Sequence, residues 1–217
     1  MALGLLAWPG LAESDKHSPD PASALSMLAR GNQRYVAGKP AHPHQSSVLR
    51  HQLSAKGQHP FAAILSCADS RVPPELIFDE GLGDLFVVRV AGNIVDDAVI
   101  GSMEYAAEHL HVPLIVVLGH TQCGAVEATI QGGTGHHSHI DALVNAIKPA
   151  VEQASHEAGS LHYNAVRDNV LLAVKQLRES EPILSALEKQ GKLKIVGAIY
   201  DIDKGAVTFL KEGASQK

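Results

Sequence analysis

Two short segments hold the residues of this chain best suited to chemistry: Cys67-Ala68-Asp69-Ser70-Arg71 and His120-Thr121-Gln122-Cys123-Gly124. Between them they contain both cysteines of the 217-residue sequence and one of its 13 histidines. Cys67, His120 and Cys123 offer two thiolates and an imidazole. Zinc takes these donors in a tetrahedron, and three protein ligands with one open position is the pattern of a catalytic site. His120 and Cys123 lie three residues apart where a turn enters a helix, so both side chains can face one point. Buried free thiols or a disulfide are the plainer readings; the joint placement of both cysteines and the histidine favours the metal. Asp69 and Arg71, at i and i+2, can point the same way, and an arginine can grip a carboxylate with two parallel N–H bonds. The competing reading of that pair is an ion pair capping the next turn. Gly124 follows the last ligand and allows close backbone approach at a helix start, where N–H groups can meet an anion; a tight turn explains it equally.

Each segment follows a short apolar run rich in branched residues, Phe61 to Ser66 and Pro113 to Leu118. Leu85 to Val90 and Leu193 to Tyr200 are similar. Near-continuous apolar strands alternating with helical patterns indicate an α/β fold with a parallel sheet covered on both faces. Ligands bind such sheets at the carboxyl ends of the strands, so Cys67 and the His120–Cys123 pair arrive at the same edge. Helical periodicity marks Asp96 to Leu110, with Asp96 or Asp97 as its cap, and then roughly His139 to Ala154 and Asn164 to Arg178. Asp201 to Gly205 followed by Ala206 to Leu210 reads as a hairpin-like finish at one edge. Ahead of the sheet, Pro21 to Arg30 forms a helix with Gly31 as its stop, and Val48 to Lys56 forms a second that ends at Gly57. Neither is long enough to be stable alone. Residues 21–57 are therefore an arm that must lie on something, before an α/β catalytic domain at 58–217.

The formal net charge of -5 and 4% aromatic content, without a basic run, exclude nucleic-acid binding. Met1 to Ala12 is apolar but far short of the ~20 residues that span a bilayer, and no other segment approaches that length. Gly10 and Ala12 suit a cleavage after Ala12, yet no basic residue precedes Lys16. Read as a signal remnant, residues 1–20 send the chain to the periplasm or outside; read as a loose terminus, they leave it in the cytoplasm. Gly81-Leu82-Gly83 and Gly132-Gly133 lack the strand-turn-helix setting of a dinucleotide fingerprint. Gly132 to His139, with His136, His137 and His139, reads as a solvated glycine-rich loop in preference to a second metal site.

Taken together, Cys67-Ala-Asp-Ser-Arg71 and His120-x-x-Cys123-Gly124 resemble the paired signature of the beta-class carbonic anhydrases. The resemblance extends through Ala29 to Tyr35, Gly57 to Pro60, Leu85 to Asn93 and Tyr200-Asp201. It implies a four-stranded parallel sheet with an extra edge strand, flanked by helices, and a homodimer or higher even oligomer with exchanged arms. It also implies one zinc ion per chain on Cys67, His120 and Cys123, with water or hydroxide in the fourth position attacking carbon dioxide to give bicarbonate. Asp69 would accept a hydrogen bond from that water and could swing onto the metal in its place, a movement that Arg71 opposes. Gln58 would donate to substrate or bicarbonate across the dimer interface. Phe86, Ala91 and Tyr105 are candidates for an apolar pocket, with ordinary core packing as the plainer reading. Hydrolysis of carbonyl sulfide or carbon disulfide on the same triad is the enzymatic alternative, and a structural zinc module the other. Zinc with two thiolates is formally neutral, so activity is expected to rise toward alkaline pH.

Overall fold

The computed structural model describes residues 19–133 and 138–211. Met1 to Ala12, and His136 and His137 of the glycine-rich loop, lie outside the described residues. Five strands, β1 (Ala62–Ser66), β2 (Leu85–Arg89), β3 (Leu114–His120), β4 (Lys194–Tyr200) and β5 (Val207–Phe209), form one sheet in the order β2-β1-β3-β4-β5. The first four are parallel and β5 pairs antiparallel to β4. A four-stranded parallel sheet with an extra edge strand is therefore present. Among the described residues no helix is long and apolar enough to cross a membrane.

Every residue of β1 and β3 is buried, because helices cover both faces. On one face Ala63, Leu65, Ile115, Val117 and Ile195 pack against α4 (Asp97–Glu104), α7 (Leu161–Arg178) and α8 (Leu184–Lys189). On the other, Ala62, Ile64, Leu114, Val116 and Ala198 meet α1 (Pro21–Val36) and α3 (Pro74–Ile77). A third cluster, at the carboxyl end of the sheet, joins Cys67 and Cys123 to α5 (Gly124–Ile130), α6 (Ile140–Ala154) and α7.

The arm divides into two unlike helices. Asp20 caps α1, accepting from the N–H groups of Ala22 and Ser23, with Pro21 in the first turn. Gly31 does not stop this helix, which continues to Val36. A Cβ at position 31 would lie 1.7 Å from the Phe78 carbonyl oxygen, so the glycine is there to let α1 settle against the chain behind α3. Ala24 and Leu28 are fully buried in that contact. By contrast α2 (Ser47–Lys56), which ends at Gly57 as expected, buries none of its residues.

The helix expected over Asp96 to Leu110 is α only to Glu104; Tyr105–His109 widens into a π turn. There the chain doubles back, with Leu110 donating to the Tyr105 carbonyl and Val112 to that of Ala106, and His111 takes a positive φ of 55°. α7 lies very close to the sheet. A Cβ at Gly119 would come within 2.4 Å of Val170 Cγ2, and one at Gly197 within 2.7 Å of Val170 Cγ1.

Candidate metal centre

Strand register brings the chemistry together. Ser66, the last residue of β1, pairs with Arg89, the last of β2, and with Leu118 on β3, so β1 and β2 end level with each other. Cys67 is the first residue beyond β1. β3 runs two residues past Leu118, which makes His120 its final residue, and Cys123 caps α5 three positions on. The Cys67 and Cys123 sulfurs and a ring nitrogen of His120 lie within 4.8 Å of one another, all three residues being buried. Neither cysteine is in a disulfide.

This donor set fits a metal ion. The His120 Nδ1 is 2.8 Å from the Thr121 carbonyl oxygen. A carbonyl only accepts, so Nδ1 carries the proton and the lone pair is on Nε2. That Nε2 is buried and has no hydrogen-bond partner among the described residues. Stranding it there costs free energy, which a cation between the two sulfurs removes. The Gly92 N–H donates to Cys67 Sγ at 3.2 Å. A bond from the Cys123 thiol, helped by His120 and by that N–H, pushes the Cys67 pKa down, against the opposing effect of burial. The same sulfur–sulfur bond and burial push Cys123 up. A divalent cation held between them would favour the deprotonated form of both sulfurs.

Asp69 and Arg71 meet as their spacing suggested. The guanidinium donates from Nε to Oδ1 at 2.9 Å and from Nη2 to Oδ2 at 2.7 Å, and the Arg71 backbone N–H adds a third bond to Oδ1 at 2.9 Å. Held by Arg71, the Asp69 carboxyl falls to a pKa of about 2 despite partial burial. Its Oδ2 lies 4.0 Å from His120 Nε2, beside the donor cluster. Arg71 also donates to the Gln122 carbonyl at 3.2 Å, tying the β1 exit to the β3 exit.

Gln58 is exposed between α2 and β1, without a hydrogen bond to the triad, Asp69 or Arg71 among the described residues. Gly124 opens α5, but a Cβ there would meet nothing within 4 Å, so packing does not demand the glycine. Tyr105 is 48% exposed and lies against Phe86, with ring centroids 6.1 Å apart, which places it outside the core.

Three residues with a clear part in the site were not singled out from sequence. Arg89 donates to the carbonyls of Cys67 at 3.1 Å and Asp69 at 2.5 Å, pinning the loop that carries both. Gly92 supplies the N–H to sulfur, and Asn169 on α7 donates to the Gly92 carbonyl at 2.7 Å. A charge closing an otherwise apolar strand and an amide on the apolar stripe of a long helix were the available signals.

Residues 62–207 match the family described as carbonic anhydrase. Carbonic anhydrase 2 of Mycobacterium tuberculosis is 44% identical over 189 residues, 86% of this chain and 91% of that one. The carbonic anhydrase of Pseudomonas aeruginosa is 38% identical over 82% of this chain and 84% of its own. Among solved structures, the beta-carbonic anhydrase CcaA superposes with a TM-score of 0.68 at 31% identity, covering 86% of this chain and 95% of that chain. A Coccomyxa beta-carbonic anhydrase, solved with acetazolamide, gives 0.66 at 27% identity over 86% of each. Sequence, sheet topology and the Cys-His-Cys cluster at the strand ends agree, and the chain belongs to the beta class of the carbonic anhydrase family.

Proposed function

We propose that this chain catalyses the reversible hydration of carbon dioxide to bicarbonate and a proton, with zinc held by Cys67, His120 and Cys123. The observation that carries the reading is the buried, unpartnered His120 Nε2, aligned by the Thr121 carbonyl and set among two thiols within 4.8 Å. A zinc ion held there supplies a Lewis acid that makes water nucleophilic near neutral pH.

The protein's own groups do the rest. Asp69, kept ionised by Arg71, is an acceptor only; its Oδ2 would accept a hydrogen bond from the nucleophilic water and so orient that water's own lone pair toward carbon dioxide. Arg71 holds both carboxylate oxygens, which keeps Asp69 from closing over the donor cluster and leaves the fourth position open. Three protein donors beside an anchored carboxylate favour this reading over a structural zinc module, where four protein ligands close the site. Gln58 donates its amide N–H to substrate from across a subunit interface, and the Gly124 N–H at the start of α5 faces the anionic product.

That interface belongs to a homodimer or a higher even oligomer. Support comes from α2, which buries nothing in its own chain, and from β2, a half-exposed strand at the edge of the sheet. Two related beta-carbonic anhydrases of Sordaria macrospora, with a TM-score of 0.64 at 28% identity over 87% of this chain and 95% of theirs, are tetrameric. The relatives above are named carbonic anhydrases, which supports carbon dioxide over carbonyl sulfide as substrate. Stopped-flow assay of zinc-loaded protein at pH 7 and 8.5, with carbonyl sulfide as comparator, tests the reading. Turnover of carbon dioxide is expected; none, or turnover of carbonyl sulfide alone, overturns it.

A further inference from the structure

We infer that Asn169 is a positioning residue for the Cys67 sulfur, acting through the backbone of Gly92. The inference rests on the metal-site reading above and extends it to a residue on a distant helix. Gly92 sits between the two. Its N–H donates to Cys67 Sγ at 3.2 Å, and its carbonyl accepts from Asn169 Nδ2 at 2.7 Å. Both residues are buried, Asn169 being only 3% exposed.

Gly92 has φ 72° and ψ 13°, left-handed backbone that a glycine adopts freely and that nothing in its own chemistry holds. A side chain is barred there, since a Cβ would come within 2.6 Å of Ile147 Cδ1 and 3.2 Å of Ala125 Cβ. The turn is held from two sides: the Asn93 N–H, in the same peptide unit as the Gly92 carbonyl, donates to the Val90 carbonyl at 2.9 Å, and Asn169 supplies the side-chain bond to the Gly92 carbonyl itself. α7 is placed for this by its close approach to the sheet, where Val170 lies against Gly119 and Gly197. Asn169 thus sits next to the residue that sets the distance between helix and strands.

An N–H bond to a thiolate draws charge from the sulfur. In a site with two thiolates that tempers donation to the metal and fixes the direction of the sulfur lone pairs. Outer partners of metal ligands typically change affinity or activity ~10–100-fold when removed. Losing the Asn169 amide removes one of the two bonds that hold this turn and weakens the aim of the Gly92 N–H at the Cys67 sulfur.

The test reads the sulfur directly. Cobalt(II) replaces zinc in the full chain, and the sulfur-to-cobalt charge-transfer band and the zinc affinity against a competing chelator are measured for wild type and Asn169→Leu. Asn164→Leu serves as the control. Asn164 is a buried amide on the same helix, 6% exposed, and donates to the Ala158 carbonyl at 3.1 Å, with no bond to Gly92 or to either sulfur among the described residues. Asn169→Leu is expected to move the band to lower energy and weaken zinc about tenfold, whereas Asn164→Leu lowers thermal stability and leaves the band in place. Asn169→Ala, read the same way, replaces Asn169→Leu if that variant does not fold. An unmoved band and affinity, or equal changes in Asn164→Leu, overturn the inference. A wild-type protein without any charge-transfer band instead overturns the metal-site reading on which it rests.

Discussion

The carboxyl edge of the sheet and the N-terminal arm stand at opposite extremes of self-sufficiency. At the edge, three donors are buried, His120 is aligned by a backbone carbonyl, Asp69 is held at three points by Arg71, and Arg89 pins the loop. In the arm, α1 is seated on the sheet, but α2 leaves Val48 65% exposed and buries nothing. At the edge the three donors come from one chain; α2 is a short helix that buries none of its residues. The contrast teaches that the donor cluster is a property of the fold, whereas α2 awaits the partner surface proposed above.

That contrast breaks first if the donors are removed. Cys67→Ser and His120→Ala should lose bound zinc in metal analysis and reduce carbon dioxide hydration well beyond ~100-fold, the upper range for groups outside the metal's own ligands. A variant that kept its zinc and its rate would show that the cluster is not the metal centre. Asp69→Asn should cost about a hundredfold in kcat with zinc retained, in line with ~10²–10⁴ for a positioned acceptor. Loss of zinc in that variant would make Asp69 a structural partner.

The pH profile sharpens the same side. Activity should rise between pH 7 and 9, by up to about tenfold per unit, because two thiolates neutralise the metal's charge and leave its water less acidic than the ~7 of a three-histidine site. Asp69, with its carboxyl at about 2, is ionised throughout that window and cannot produce the rise. A flat profile from pH 6 to 9 would refute this charge argument.

On the arm side, Val48→Asp should shift sedimentation toward monomer while leaving the fold of each chain intact, since Val48 is 65% exposed in the single chain. An unchanged oligomer would remove α2 from the interface. The smallest effect concerns Glu80, where the arm meets the sheet. Burial first, then the charge of Asp84, push its pKa up from 4.5 to about 7; Arg34 opposes and Asp79 reinforces the rise. The folded state thus holds this proton more tightly than the unfolded chain. Stability from Glu80 is complete below pH 4.5, falls as pH rises toward 7, and is gone above it. Glu80→Gln should raise the thermal midpoint at pH 8 by ~3 °C, about 1 kcal/mol in a chain of this size, and do little at pH 4. An equal effect at both pH values would show that ionisation is not the cause.

Much of the edge was legible from residue order alone. Branched apolar runs ending at Ser66 and Leu118 marked two parallel strands, and strand exits are where such sheets bind ligands. Gly31 was misread as a helix stop because its reason, the Phe78 carbonyl beside it, lies 47 positions away. The break at Tyr105 was invisible because apolar periodicity continues through it. Arg89, Gly92 and Asn169 were missed for a shared reason: each acts by hydrogen-bonding backbone or sulfur, and which backbone group lies within reach is not encoded in local pattern.

By itself the sequence determined the donor types, their order, the alternation of strands and helices, and the pairing of Asp69 with Arg71, all of which rest on side-chain chemistry and short-range spacing. Tertiary structure alone decided which atoms converge. Parallel register sets Cys67 level with the end of β3, the Thr121 carbonyl selects the His120 nitrogen, and the close seating of α7 brings Asn169 to Gly92. Those outcomes depend on distances between segments far apart in the chain, fixed by packing at a few glycines where no side chain fits.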